Sequence, residues 1–122
     1  MIETKKRYTF KYCERLHLKK DFDKVIKFGR RQTHPAIFVY TYKRKSEPKY
    51  CRLGIVTSRK IGKAVERNTT KRRLREIFRT NKHNLISGLD IVFIPKKKCV
   101  TMKFSQIKDI IFSAWKTAKA LK

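Results

Sequence analysis

RLGIVTSRKIGKAVERNTTKRRLREIFR, residues 52–79, changes character halfway along. Its start continues a β-branched and apolar run, YCRLGIVTS at 50–58, that reads as a strand. From about Glu66 the period becomes helical, with two distinct faces. Thr70, Leu74, Ile77 and Phe78 cluster on one side, while Asn68, Lys71, Arg72, Arg75 and Arg79 follow i, i+3, i+4, i+7, i+11 on another. Lys63, Arg67, Lys71, Arg75 and Arg79 are each four residues apart, so a helix stacks them in one line. Like charges at that spacing oppose the helix by roughly 0.2–0.5 kcal/mol per pair, or about 1–2 kcal/mol for four pairs. Ile61, Ala64 and Val65 do not continue the apolar side, so the entry at 58–65 is expected to pack differently. A strand leading into a basic amphipathic helix is the unit on which the rest is built.

The whole chain shares the charge of this helix. Its 122 residues suit one domain, and 40% apolar with 11% aromatic residues suffices for a packed core. Against 34 Lys and Arg stand 9 Asp and Glu, a net of +25, whose usual counterpart is a polyanion: nucleic acid first, an anionic membrane surface second. Ten cations face two acids between Arg59 and Lys82, and six of the ten are Arg, whose planar fork suits phosphate oxygens. Membrane binding fits less well, because the apolar side of the helix is narrow enough to be consumed by a sheet. No apolar run approaches the length of a membrane span, and MIETKKRYTFKYCERLHLKK lacks the apolar block of a secretory signal. A cytoplasmic location is expected. Cys13, Cys51 and Cys99, widely spaced, read as free thiols, and His17, His34 and His83 are equally scattered.

Working outwards, residues 1–17 read as a basic N-terminal arm with Tyr8, Phe10 and Tyr12 on alternate positions. From about Lys19 to Phe28 a helix places Phe22, Val25 and Ile26 on one face, stopped by Gly29. Pro35 introduces AIFVYTYK (36–43), in which Phe38, Tyr40 and Tyr42 share a face. Ser46-Glu47-Pro48 supplies turn chemistry before the 50–58 run, which predicts an antiparallel hairpin between the two. Beyond the basic helix, Gly88 precedes the buried strand LDIVFIP (89–95), and Lys96–Lys98 are read as a surface turn. Phe104, Ile107, Ile111, Ala114, Trp115 and Ala118 mark an amphipathic C-terminal helix capped near Ser105. The order is about α-β-β-(β)-α-β-α. This is an α+β fold: a single-domain α-β sandwich over residues 1–122, one mixed sheet packed by helices.

The acids argue against a nuclease acting alone. They are dispersed, and the close pair Asp21 and Asp23 points about 200° apart on a helix. No carboxylate pair is placed to hold two metals. RNA fits better than DNA, because the basic helix lies between strands and Phe38 and Tyr40 offer rings to unstacked bases. Composition alone leaves a ribosomal or RNA-chaperone type of module open.

The 52–79 block resembles the signature region of the protein subunit of bacterial ribonuclease P. Arg52, Leu53, Gly54, Gly62, Ala64, Val65, Arg67, Asn68, Lys71, Arg72, Arg75 and Glu76 match that pattern in order and spacing. Arg15-Leu16 with Asp21-Phe22, Val25 and Gly29 resembles the family's first helix, Phe38-Val39-Tyr40 a strand, and Leu89-Asp90-Ile91-Val92 its last strand. Two positions depart from it: Thr69 stands where the motif has a third basic residue, and Ile26 where some members carry a second aromatic. The resemblance implies a left-handed crossover carrying the basic helix. It implies a ribonucleoprotein whose RNA subunit holds catalytic Mg2+ and removes the 5′ leader of precursor tRNA, with a protein inactive by itself. Arg59, Lys60, Lys63, Arg67, Asn68, Lys71, Arg72, Arg75 and Arg79 are then expected on the catalytic RNA. Phe22, Ile26, Phe38 and Tyr40 are expected to line the leader cleft.

Overall fold

A computed structural model describes residues 10–45 and 49–122. Tyr8 of the expected alternation and the Ser46-Glu47-Pro48 turn lie outside the described residues. After a 3₁₀ turn at Tyr12–Glu14 come α1 (Lys19–Phe28), β1 (Arg30–Thr33), β2 (Ile37–Lys43) and β3 (Arg52–Ile55). A 3₁₀ turn at Arg59–Ile61 leads into α2 (Ala64–Asn81), followed by a 3₁₀ turn at Lys82–Asn84, β4 (Leu89–Pro95), α3 (Lys97–Val100) and α4 (Phe104–Thr117). The strands form one sheet in the order β1-β2-β4-β3, antiparallel except for the β3–β4 pair.

The expected hairpin between β2 and β3 does not form. β4 lies between them, with Tyr40 opposite Val92 on one side and Gly54 opposite Val92 on the other. LDIVFIP has apolar residues on both faces and is buried throughout except at half-buried Ile94, so it takes the central position. β3 then runs parallel to it, and the parallel connection is made through α2. The hairpin partner of β2 is β1, whose sequence RRQT has no apolar alternation because an edge strand needs little. His34 and Ile37 exchange backbone bonds of 3.1 and 3.2 Å at that turn.

Helices cover both faces of the sheet. Val39, Ile91 and Phe93 belong to the larger cluster with Leu74 and Phe78 of α2 and Ile107, Ile111 and Trp115 of α4. On the opposite face Val25 of α1 packs with Leu16, Tyr40 and Val92, flanked by Phe22, Phe38 and Tyr42. Gly54 permits that contact: a Cβ there would meet the Phe22 ring at 2.3 Å. Lys96–Lys98 are not a plain turn, since Lys97 and Lys98 begin α3 and bury Cys99 behind them. The cap of α4 is Lys103, two residues before Ser105, and its backbone N–H donates to Gln106 Oε1 at 3.0 Å.

The N-terminal arm, where described, is docked on the domain. Leu16 N–H donates to the Leu53 carbonyl at 3.0 Å in a single parallel bridge, while the further short strand of the fold is β1. The Phe10 ring meets Phe78 edge-on at 5.5 Å, and buried Glu14 accepts from Lys82 Nζ at 2.7 Å. Beneath α1, Asp90 accepts from Arg52 Nε and Nη2 at 2.8 and 2.7 Å and also from Arg44. That hydrogen bonding holds the Arg52 guanidinium pKa above its ordinary value.

Cys51 and Cys99 are buried and Cys13 is exposed. Burial pushes the Cys99 thiol up to about 11. Its contribution to stability is therefore present below the ordinary thiol range and lost as pH climbs towards 11. A thiol reagent at neutral pH should label Cys13 first and reach the other two only on unfolding. Equal rates at all three would contradict this packing.

Candidate nucleic-acid interface

The cationic face is built by the turn that enters α2. Gly62, at φ 151, occupies backbone space that side chains rarely adopt, and redirects the chain from the 3₁₀ turn into the helix. Lys63 is the N-cap, and its backbone N–H donates to Glu66 Oε1 at 3.0 Å. That carboxylate also complements the positive end of the helix. Arg67 turns back to donate to the Gly62 carbonyl at 2.8 Å. Lys63, Asn68, Arg72 and Arg75 are exposed, as are Arg59 and Lys60 in the turn, while Lys71 is half-buried.

The charge ladder is therefore milder than its spacing predicts. Lys63 stands outside the helix, and Arg79 pairs with Glu76, its Nε donating at 3.0 Å. The hydrogen bond to Arg79 holds the Glu76 carboxyl below the usual range. Two fully helical like-charge steps remain, Arg67–Lys71 and Lys71–Arg75, at a cost of about 0.4–1 kcal/mol. Thr69 supplies no charge in place of the missing guanidinium, and its hydroxyl donates to the Val65 carbonyl at 2.9 Å. Arg73 points away from this line and donates to the Met102 carbonyl at 3.3 Å.

A groove of about 440 Å³ opens at the entrance of α2, lined by Arg59, Lys63 and Arg67 together with Lys97 and Thr101. Lys97 escaped the sequence reading. A lysine run after Pro95 was visible, but nothing local indicated that α3 folds back against this entrance.

The aromatic positions meet on the α1 face. Phe22 and Phe38 are half-buried, Ile26 is 38% exposed, and Tyr40 is only 6% exposed. Tyr40 thus forms the floor of the cleft, with Phe22 and Phe38 as its walls. Arg31 lies 5.5 Å and Lys96 3.8 Å from the centroid of the Phe38 ring. Neither was legible from spacing, because one sits on the polar strand β1 and the other just beyond β4.

The two faces adjoin. A groove of about 140 Å³ is shared by Phe10, Arg15, Phe22 and Gly54 with Lys71 and Arg75 of α2. Arg15 holds its guanidinium 4.6 Å above the Phe10 ring. Aromatic and cationic groups side by side suit a strand with stackable bases and charged phosphates.

Fold and site together define a polyanion-binding α+β domain. The sequence model of the ribonuclease P family matches residues 10–119. The ribonuclease P protein component of Thermotoga maritima is 48% identical over 90 residues, covering 74% of this chain and 75% of that one. The Petrotoga mobilis component is 41% identical over 108 residues, covering 84% and 89%. The structure of the Staphylococcus aureus RNase P protein superposes with a TM-score of 0.80 at 33% identity, covering 89% of this chain and 98% of that one. That from Thermotoga maritima gives 0.74 at 39%, covering 85% and 96%. The chain belongs to the bacterial ribonuclease P protein family. Its role is that of the protein subunit of an endoribonuclease, and the resemblance read from residues 52–79 holds along nearly the whole chain.

Proposed function

We propose that residues 1–122 act as one domain that docks on the ribonuclease P RNA through α2 and holds the 5′ leader of precursor tRNA beneath α1. The observation that carries this reading is the shared groove, where Phe10 and Phe22 stand beside Lys71 and Arg75. On the RNA side Arg59, Lys60, Lys63, Arg67, Asn68, Lys71, Arg72 and Arg75 replace counterions along the phosphates. Arg79 contributes less because it is held by Glu76. On the leader side Phe22, Ile26, Phe38 and Tyr40 bind single-stranded nucleotides by stacking and apolar contact, with Arg31 and Lys96 at the phosphates. Such contacts tolerate many leader sequences.

We place the catalytic Mg2+ on the RNA subunit. Four of the described acids support this reading: Glu14, Asp21, Glu76 and Asp90 are ion-paired with Lys or Arg. Among the described residues no cluster of three or more His, Cys, Asp or Glu is placed to hold a metal. Bound metal on the RNA supplies the hydrolytic chemistry, and this chain orients the substrate beside it. We assign the complex to the cytoplasm; among the described residues no helix is long and apolar enough to cross a membrane.

The test is reconstitution with a bacterial ribonuclease P RNA at low magnesium, following leader removal from precursor tRNA. Stimulation is expected. Ile26→Phe restores a ring at a surface position of the cleft, and should tighten precursor binding about five- to tenfold. Mature tRNA affinity should stay constant. Absence of stimulation, despite salt-dependent RNA binding, would return the chain to a general RNA-binding role.

A further inference from the structure

α1 crosses the sheet instead of running along it. Phe22, in its first turn, rests on Gly54 of β3. Gly29, which closes it, sits against the Thr41 carbonyl of β2, where a Cβ would come within 2.8 Å. At this far end a further groove of about 370 Å³ opens round the end of the sheet onto its α4 face, lined by Phe28 and Tyr42 together with Arg30, Lys43, Leu89 and Lys119 among others, with no acidic side chain among the described residues of its wall. Phe28 is 64% exposed, and the Lys27 ammonium lies 5.3 Å from its centroid. Lys43 is fixed at the wall by donating to the Ser87 carbonyl. Tyr42 belongs both to this groove and to the cluster under α1.

The backbone at Lys119 is a second and independent observation. At φ 57 it is the non-glycine residue held in the left-handed region among the described residues. It closes α4: Lys119 N–H donates to the Lys116 carbonyl at 3.1 Å, and Ala120 N–H to that of Trp115 at 2.9 Å. This is the closing pattern in which glycine is the favoured residue, because an L side chain opposes the conformation. The fold would be better served by glycine. What the lysine adds is an exposed ammonium on the groove.

We propose that this groove is a second leader subsite, receiving the upstream continuation of the single strand that lies beneath α1 once it turns round the end of the sheet past Phe28 and Tyr42. Phe28 stacks a base, and Arg30 and Lys119 hold the adjoining phosphates. The inference rests on the leader assignment above and extends it along the strand. The ten residues of α1 span about 15 Å, the length of roughly four stacked nucleotides. Nucleotides beyond these emerge at Phe28.

The experiment measures affinity of the reconstituted holoenzyme for precursor tRNA with leaders of about four or about ten nucleotides, and for mature tRNA. Phe28→Ala and Arg30→Ala should weaken long-leader binding by roughly fivefold or more and leave the short leader unchanged. Lys119→Gly should raise Tm by roughly 3–6 °C and still weaken the long leader, separating binding from folding. Equal loss on both leaders, no loss on the long one, or a stabilised Lys119→Gly with unchanged affinity each overturns the subsite. Failure of the leader reading looks different: the wild-type complex would then bind both precursors no more tightly than mature tRNA.

Discussion

The Arg67→Ala/Lys71→Ala double variant is expected to bind ribonuclease P RNA roughly 30–150-fold more weakly than the wild type and to lose its stimulation of cleavage at low magnesium. Each of these half-buried cations is assigned about 1–1.5 kcal/mol, below the value for fully buried charged hydrogen bonds because water and salt still screen it. The logarithmic salt dependence of binding should flatten by about 1.4–1.8, as two fewer counterions are released. Both positions are constrained by their surroundings. Arg67 is braced on the Gly62 carbonyl, and Lys71 borders the groove that Phe22 also lines. The control is Arg73→Ala/Lys116→Ala, which removes the same charge from outside that line; Arg73 is directed to the Met102 carbonyl and Lys116 lies on α4. An equal loss in the control would mean that net charge, not this face, carries the binding.

What was legible in the sequence follows from which residues had to satisfy a local period. The basic and apolar sides of α2 were readable because both repeat at helical spacing, and Leu74, Ile77 and Phe78 are buried as that period requires. β4 was readable because an apolar run bounded by Gly88 and Pro95 has little alternative. The partner of β3 was not. Sequence proximity favoured β2, whereas pairing was decided by the demand of β4 for cover on both edges. β1 carried no period at all, being a polar edge strand.

The site divides in the same way. The cationic residues of α2 are singled out by periodicity and by resemblance, whereas Arg15, Arg31, Lys96 and Lys97 join the candidate faces only through tertiary packing. Arg52 belongs to the family pattern, which by itself assigns it no role. Its role in this structure is inside the fold, two hydrogen bonds to Asp90 from the adjacent strand. A basic residue in a basic protein need not face the RNA.

That distinction leads to the largest expected effect on stability. Asp90→Ala should destabilise the protein by about 3–5 kcal/mol, read as a lower urea midpoint, because it leaves two guanidinium groups facing each other without their shared carboxylate. The Arg44 side chain is 6% exposed and that of Arg52 21%, so neither is readily rehydrated in place. Against a typical domain stability of 5–15 kcal/mol this is a large fraction. Asp109→Ala makes the same change in net charge at an exposed position of α4 and should shift the midpoint little. Comparable losses in the two variants would assign the effect to repulsion across a chain of net charge +25 and sink the local account. Added sulfate separates the two further: screening relieves general repulsion but cannot replace a carboxylate bonded between two strands. The consequence reaches the interface, since Arg52 also lies 3.9 Å from Asp21 in the first turn of α1. Loosening it frees the helix that carries Phe22, so Asp90→Ala should weaken precursor binding more than mature tRNA binding under conditions where the protein remains folded.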